Sequence, residues 1–243
     1  MAAADRLPIG GVQWTTVIDF PDVVAATLFT IGCNFRCPFC HNPELVDPAR
    51  LAETLDQPTI LDRLRERVGF LDGVVITGGE PTIHPHLEAF VASLKVLGYR
   101  VKIDTNGTRP DVLSGLLDGS HDECGADYIA MDIKAPLPRY RELAGLDVEI
   151  DAIEASIVRI VEAAPAYEFR TTVAPTLGRE DLVQIAERLR DAGARTYYLQ
   201  AFRAAATGLL DPTWQGRPAL SIEEIEATWD EIGAWFDGGG VRG

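Results

Sequence analysis

The stretch VVAATLFT, residues 23–30, is a nearly unbroken run of apolar and small residues. A run of this length without polar alternation is typical of a strand that is buried on both faces of a sheet. Five further runs with strand character follow along the chain, at residues 74–77, 100–104, 128–133, 168–173 and 196–200. The sequence therefore predicts six strands, starting from residues 23–30.

Amphipathic segments with helical spacing separate these strands. They cover residues 60–68 before Gly69, residues 87–97 before Gly98, residues 150–160 and residues 182–189 before Gly193. A last helix, at about 221–237, opens with a capping box from Ser221 to Glu224, and the glycine tail at 238–240 is expected to be frayed.

Strands that alternate with helices predict parallel βαβ units in an α/β fold. A complete eight-unit barrel needs about 250 residues or more, and this chain has 243. We therefore expect a partial (β/α)6 barrel in a single domain, 1–243, with a core at about 20–202.

Composition limits the partners. The chain has 22 basic and 37 acidic residues, a formal net charge of −15, which argues against nucleic acid as a partner. No segment approaches the roughly 20 apolar residues that span a bilayer. Residues 1–11 lack the apolar core of a signal peptide. We expect a cytoplasmic protein with no membrane association.

Polar residues follow four of the predicted strands, where barrel enzymes carry their chemistry. The first group is the loop CNFRCPFC, residues 33–40, with Cys33, Cys37 and Cys40 in C-x3-C-x2-C spacing. Three thiolates on one short loop can each bind one iron of a 4Fe–4S cubane, which leaves the fourth iron open to a cofactor or substrate.

Two other uses of this loop are open. A zinc site would need a fourth ligand at suitable spacing, and His41, directly after Cys40, is poorly placed for it. An electron-transfer cluster would need four thiolates. Cys124 stands apart, and we expect it to be a small buried residue rather than a ligand.

The cysteine loop, with Phe39 before its last cysteine, resembles the signature of the radical S-adenosylmethionine superfamily. TGGEP, residues 77–81, is similar to the GGEP motif of that family. The resemblance implies a 4Fe–4S cluster on the three cysteines and S-adenosylmethionine as cofactor. It implies that Phe39 belongs to the cofactor site, and that Gly78, Gly79 and Glu80 meet the amino group of the cofactor's methionine part.

Residues 10–21 and 29–44 more closely resemble the activating proteins of anaerobic ribonucleoside-triphosphate reductases, a branch of the glycyl-radical-enzyme activases. DTNG, residues 104–107, and DIK, residues 132–134, are similar to motifs shared with pyruvate formate-lyase activases. The resemblance implies that Asp104 and Asn106 line the cofactor side of the barrel, that Asp132 lies near the ribose and that Lys134 meets the methionine carboxylate. Residues 104–107 could also be an ordinary turn, and Lys134 a surface lysine.

The implied activity is that of an oxidoreductase that starts radical chemistry. A flavodoxin or ferredoxin reduces the cluster, the cofactor is cleaved to methionine and a 5′-deoxyadenosyl radical, and this radical takes hydrogen from a glycine of a partner enzyme, here anaerobic ribonucleotide reductase. The chain lacks the ferredoxin-like insert of larger activases and the family's glycine pattern near residues 170–176. The roles of Arg170 and Gln200, at predicted strand ends, stay open.

Two alternatives remain. One is a small radical enzyme that acts on a small molecule, in the manner of 7-carboxy-7-deazaguanine synthase, and the other is a noncatalytic metal-binding module. An activase must admit a glycine loop of a folded partner and needs a wide, lateral barrel mouth. A small-molecule enzyme would have a closed pocket with polar groups matched to its substrate.

Overall fold

The computed structural model describes residues 6–47, 50, 53–118, 125–203 and 208–243. These residues form one eight-stranded sheet in which neighbours in sequence are neighbours in space. The strands are β1 (Ile9–Thr16), β2 (Ala25–Thr30), β3 (Gly73–Gly78), β4 (Arg100–Thr105), β5 (Tyr128–Asp132), β6 (Tyr167–Val173), β7 (Thr196–Ala201) and β8 (Gly238–Arg242). β1 is antiparallel to β2, and every later pair is parallel.

Helices connect the parallel strands. They are α1 (Pro43–Val46), α2 (Gln57–Arg65), α3 (Leu87–Val96), α4 (Pro110–Asp118), α5 (Tyr140–Ala144), α6 (Ile150–Ala163), α7 (Arg179–Asp191) and α8 (Ile222–Ile232). Strands β2 to β7 with their connections confirm the predicted partial (β/α)6 barrel. Within the described ranges β1 and β8 each pair with one neighbour, so the sheet stays open between two edge strands. None of the helices described is long and apolar enough to cross a bilayer.

The two faces of the sheet differ in chemistry. Side chains such as Ile76, Ile103 and Met131 point to one face and pack with helix residues in the largest apolar core. Because strand side chains alternate between faces, the neighbours of these residues point into the barrel. A small apolar cluster that includes Phe20 and Tyr128 lies inside, near the amino ends of β2 and β5. Charged side chains follow toward the carboxyl ends.

The predicted end of the first long helix is wrong. The apolar spacing extends it to Val68, but α2 ends at Arg65. Val68 is 52% exposed. Backbone hydrogen bonds from Phe70 and Leu71 to the Arg67 carbonyl form a turn here, and Gly69 lies in it with φ +85°. The turn carries Val68 away from the core.

The glycine tail is a strand, so the prediction of a frayed end is wrong. α8 has the predicted capping box but ends at Ile232 rather than near 237. β8 then pairs with β7 from Thr196↔Gly238 to Gln200↔Arg242. A Cβ on Gly239 would lie 1.9 Å from the Tyr197 carbonyl oxygen, and φ is +141° there. Close backbone approach requires glycine at this point, and the run does not mark disorder.

β1 was not predicted because its two glycines weaken the strand pattern. Ile9 pairs with Thr30, and Thr16 pairs with Ala25. A Cβ on Gly10 would lie 2.6 Å from the Ile31 side chain. Glycine therefore lets β1 lie close to the segment that leads into the cysteine loop.

Candidate cluster and cofactor site

One cavity of about 240 Å³ lies at the carboxyl ends of the barrel strands. Every site residue predicted from the sequence lines it: Cys33, Cys37, Phe39, Cys40, Gly78, Gly79, Glu80, Asp104, Asn106, Asp132 and Lys134. The parallel topology explains this convergence, because the loops that follow neighbouring strands meet at the same edge of the sheet. The structure brings the residues together, and their individual roles stay predictions. Cys124 lies outside the described residues.

The cysteine loop is held by backbone hydrogen bonds on both sides. The Cys40 N–H donates to the Cys37 carbonyl at 2.9 Å, and the Phe35 N–H donates to Cys33 Sγ at 3.3 Å. Arg36 donates from Nη1 to the carbonyls of Cys33 and Phe35, both at 2.7 Å. The Arg36 N–H donates to the Ala144 carbonyl, and the Cys40 carbonyl accepts from Leu210. Hydrogen bonds within the loop and to residues 144 and 210 therefore hold the loop in place.

The thiols lie in a desolvated environment. Burial raises the pKa of Cys33 to about 11 and that of Cys37 to about 12. Burial also raises the pKa of Cys40. At neutral pH the metal-free thiols are therefore protonated, and iron must displace three protons when it binds.

The glycine pair after β3 contacts the backbone that leads into Cys33. Gly78 has φ +115°, and a Cβ there would lie 2.4 Å from the Thr30 nitrogen. A Cβ on Gly79 would lie 1.9 Å from the Gly32 carbonyl oxygen. The Gly79 N–H donates to the Thr30 carbonyl at 2.9 Å, and the Glu80 N–H donates to the Gly32 carbonyl at 2.8 Å. The glycines thus fix the β3 edge against the cysteine loop.

Glu80 joins the ends of β3 and β4. Its Oε1 accepts hydrogen bonds from the Thr82 hydroxyl and backbone N–H and from the Thr105 hydroxyl, and its Oε2 accepts from the Asn106 N–H at 2.6 Å. The side chain is 1% exposed. Burial raises the pKa of Glu80, while these donors oppose the rise. The two oxygens together accept four hydrogen bonds, three on Oε1 and one on Oε2.

Asn106 also has a bracing role. Its side-chain Nδ2 donates to Asn34 Oδ1 at 2.9 Å, and its Oδ1 accepts from the Thr108 N–H and hydroxyl. Asn34 in turn donates to the Thr108 hydroxyl at 2.7 Å. The turn after β4 is therefore tied to the cysteine loop through Asn34. It is an ordered part of the cavity wall, although the sequence alone also allowed a simple turn.

The opposite wall of the cavity is ionic. Lys134 Nζ lies 3.0 Å from Asp132 Oδ2, and Arg170 Nε lies 2.9 Å from Asp132 Oδ1. Asp104 pairs with Lys102 at 2.9 Å and with Arg170 at 3.5 Å. Burial would raise the pKa of Asp132, but Arg170 and Lys134 hold it well below its usual range. Burial would lower the pKa of Lys134, but Asp132 keeps it above its usual range. Both groups are charged at neutral pH, and Lys134 is not a free surface lysine.

Sequence reasoning missed several cavity residues. They are Phe35, His41, Asn42, Val46, Thr77, Thr105 and Thr172. Thr172 could have been found, because it lies at the carboxyl end of a predicted strand like Asp104 and Asp132. Gln200 pairs with Thr172 across β6 and β7 but does not line the cavity. Arg170 lies behind the cavity wall, where it contacts two of the wall's carboxylates.

The donor set fits an iron–sulfur cluster. In the described part of the chain, no three His, Cys, Asp or Glu side chains converge as ligands of a single metal ion would. The three thiols instead lie around the wall of one cavity, as separate irons of a cubane require. The same cavity offers a cation at Lys134 and carboxylates at Glu80 and Asp132, which suit an amino acid with its own ammonium and carboxylate.

An incomplete parallel barrel with a three-thiol loop after its first parallel strand defines a class of iron–sulfur enzymes that bind a further cofactor at the cluster. The family model of the radical SAM superfamily matches residues 27–199. The chain belongs to the radical SAM superfamily, and its cofactors are a 4Fe–4S cluster and S-adenosylmethionine.

Relatives by sequence include glycyl-radical activating enzymes and 7-carboxy-7-deazaguanine synthases. A Methanocaldococcus jannaschii protein named "Putative glycyl-radical enzyme activating enzyme MJ1227" is 31% identical over 201 residues, which cover 80% of this chain and 79% of that protein. The pyruvate formate-lyase-activating enzyme of Staphylococcus aureus is 32% identical over 116 residues, 44% of this chain and 45% of that enzyme. The 7-carboxy-7-deazaguanine synthase of Aquifex aeolicus is 34% identical over 100 residues, 41% of this chain and 44% of that enzyme.

Solved structures agree on the fold. Streptococcus suis SuiB superposes with a TM-score of 0.64 at 13% identity, over 88% of this chain and 47% of SuiB. Coproporphyrinogen III oxidase (HemN) from Escherichia coli, a radical SAM enzyme, superposes with a TM-score of 0.60 at 14% identity, over 85% of this chain and 51% of HemN. This chain therefore spans about half the length of both proteins.

Proposed function

We propose that this chain is a glycyl-radical-enzyme activating enzyme and that its partner is an anaerobic ribonucleoside-triphosphate reductase. The observation that carries the proposal is one cavity with three thiols on one wall and the Lys134–Asp132 pair on another, at the mouth of an open barrel. The Methanocaldococcus jannaschii relative, similar over most of both chains, supports the activase branch.

The residues of the chain bind the cluster and S-adenosylmethionine and orient them. When bound, the cluster and S-adenosylmethionine together supply a carbon-centred radical after one-electron reduction. Cys33, Cys37 and Cys40 hold the cluster. Lys134 Nζ binds the methionine carboxylate, and Glu80 Oε2, which accepts fewer hydrogen bonds than Glu80 Oε1, receives the ammonium. The buried surroundings of the thiols keep water away from the reacting atoms.

The open sheet supports a protein substrate. β8 and β1 do not pair in the described residues, and we propose that a loop of the partner enters between these two edge strands as well as from the strand ends. A glycine on a loop of a folded partner needs such lateral access. The partner must release that loop from its own fold, which costs free energy of local unfolding.

We propose a ribonucleotide reductase as partner because residues 10–21 and 29–44 resemble the activating proteins of those reductases. The segments form β1, the end of β2 and the cysteine loop. A flavodoxin or ferredoxin is the proposed electron donor.

A second candidate is a small-molecule enzyme of the 7-carboxy-7-deazaguanine synthase type. The partial similarity to the Aquifex aeolicus synthase favours it. Under this alternative the polar groups of the cavity would bind a heterocyclic substrate next to the cofactor.

The two candidates differ in the molecule that reacts with the radical: a glycine of a partner protein in the first case and a small molecule in the second. The reduced, cluster-loaded enzyme is incubated anaerobically with S-adenosylmethionine and an anaerobic ribonucleotide reductase, and electron paramagnetic resonance is recorded. We expect a glycyl doublet on the reductase, and no doublet with the Cys37→Ala variant. Cofactor cleavage without a doublet on any glycyl-radical enzyme, together with formation of 7-carboxy-7-deazaguanine from its precursor, would establish the second candidate instead.

A further inference from the structure

Among the residues described, Arg170 is the one cation that contacts both aspartates of the ionic wall, Asp104 and Asp132, by hydrogen bond or ion pair. It does not line the cavity itself. Its Nε lies 2.9 Å from Asp132 Oδ1, and its terminal nitrogens lie 3.5 Å from Asp104 Oδ2. A third contact, at 3.6 Å, reaches Glu168. The Arg170 side chain is 11% exposed, so the guanidinium is a buried bridge between neighbouring strands β4, β5 and β6.

The two carboxylate oxygens of Asp132 contact different cations. Arg170 Nε contacts Oδ1, and Lys134 Nζ contacts Oδ2 at 3.0 Å. The hydrogen bond to Asp132 uses one of the three protons that a lysine ammonium can donate. The other two remain for a ligand in the cavity.

We propose that Arg170 is a positioning residue for cofactor binding: it anchors Asp132 and Asp104, and so leaves the Lys134 ammonium available to the carboxylate of S-adenosylmethionine. The inference rests on the proposed role of Lys134. Without the guanidinium, both oxygens of Asp132 would be free to close on Lys134, and Asp104 and Asp132 would repel each other across the wall. Lysine cannot replace the bridge, because a compact ammonium lacks the fork that reaches two carboxylates at once.

The test measures cofactor affinity in the cluster-loaded, full-length protein. The variants are Arg170→Met, which removes the charge, and Arg170→Lys, which keeps it. The matched control is Arg188→Met, because Arg188 pairs with Glu154 at 2.7 Å between α7 and α6, away from the cavity. Iron content, thermal midpoint and the dissociation constant of S-adenosylmethionine by calorimetry are measured for each.

We expect Arg170→Met to keep its iron and to bind the cofactor about tenfold more weakly, with Arg170→Lys between it and the wild type. Arg188→Met should stay within about twofold of the wild type. Full iron and wild-type affinity in Arg170→Met would overturn the inference. If Arg170→Met loses its iron or unfolds, Arg170→Lys decides. Affinity within about twofold of the wild type overturns the inference, and any greater loss supports it.

A double-mutant cycle separates positioning from general destabilisation. If Arg170 acts through Lys134, then Arg170→Met should change the affinity by less than about twofold when Lys134 is already alanine. The same tenfold step in both backgrounds would refute this. A wild-type protein that holds the cluster but binds no S-adenosylmethionine would refute the proposed function itself, which is a different outcome from normal binding that ignores Arg170.

Discussion

Gly79→Ala tests whether the glycine pair serves the cysteine loop. The added Cβ would lie 1.9 Å from the Gly32 carbonyl oxygen, a backbone atom that no rotamer change can move. Relief requires the β3 edge and the segment before Cys33 to separate by about 1.5 Å, given ordinary contact near 3.4 Å. That separation breaks or lengthens two hydrogen bonds, Gly79 N–H to Thr30 at 2.9 Å and Glu80 N–H to Gly32 at 2.8 Å.

The magnitude follows from these two effects. Overpacking of a rigid site costs about 1–3 kcal/mol, and each hydrogen bond contributes about 0.5–1.5 kcal/mol. We expect the free energy of unfolding to fall by about 2–6 kcal/mol. At about 2–4 °C per kcal/mol in a chain of this size, the thermal midpoint falls by roughly 4–24 °C. Because the moved segment leads directly into Cys33, iron bound per chain should fall as well.

The assay pairs anaerobic reconstitution and iron analysis with thermal denaturation monitored by circular dichroism. Gly11→Ala is the control, since a Cβ on Gly11 in β1 would make ordinary contact, at 3.6 Å, with the Phe29 side chain of β2. The control should keep its iron and lose less than about 1 kcal/mol. If Gly79→Ala binds a full cluster and its thermal midpoint equals that of the control, Gly79 is not needed for contact with the cysteine loop. Glycine at this position would then serve the close approach of a ligand.

Three further outcomes follow from the same site. Alanine at Cys33, Cys37 or Cys40 should remove the cluster and cofactor cleavage, whereas Cys124→Ala should keep both; iron analysis decides, and loss of iron in Cys124→Ala would mean that a ligand was misassigned. Lys134→Ala should weaken S-adenosylmethionine binding about tenfold or more, since a charge-assisted contact contributes about 1.5–3 kcal/mol, with iron content unchanged; unaltered affinity in calorimetry would contradict the role of Lys134. The metal-free protein should lose stability above about pH 9, because burial raises the Cys37 pKa from 9.0 to about 12 and the unfolded chain therefore releases its thiol proton first. Urea denaturation of wild type and Cys37→Ala at pH 7.5 and 10 should show a smaller loss of unfolding free energy in the variant. Equal losses in the two proteins would contradict the raised pKa of Cys37.

Local sequence patterns predicted the parallel core well. Residues 25–30 of the first run form β2, the run at 74–77 lies in β3, and residues 128–132 of the run at 128–133 form β5. These runs were recognised because strands covered on both faces are mostly apolar. The two edge strands escaped prediction for a common physical reason. Both contain glycines that allow close contact with distant residues, Ile31 in one case and Tyr197 in the other. A glycine-rich segment looks like a turn or a tail until its neighbour in space is known.

The location of the site was predictable for a topological reason. Residues that follow parallel strands meet at one edge, so motifs far apart in sequence were expected to converge, and they line one cavity. What each residue touches was not predictable. Glu80 meets Thr82, Thr105 and Asn106, and Asn106 meets Asn34, so both hold the wall together. Such partners depend on register and rotamer, and sequence spacing does not encode them.

The charges inside the barrel explain how a strongly acidic chain can present a usable cation to a cofactor. The charged cluster inside the barrel has four positive and three negative side chains in mutual contact: Lys102, Lys134, Arg170, Arg242, Asp104, Asp132 and Glu168. This charged cluster therefore has one more cation than carboxylates, although the chain carries a formal charge of −15. Buried charges are tolerated only when each has partners. A ligand carboxylate that binds Lys134 adds one negative charge to this charged cluster. Asp132 keeps its contact with Arg170 when that happens, so the charged cluster can accept the ligand without leaving a buried carboxylate unpaired.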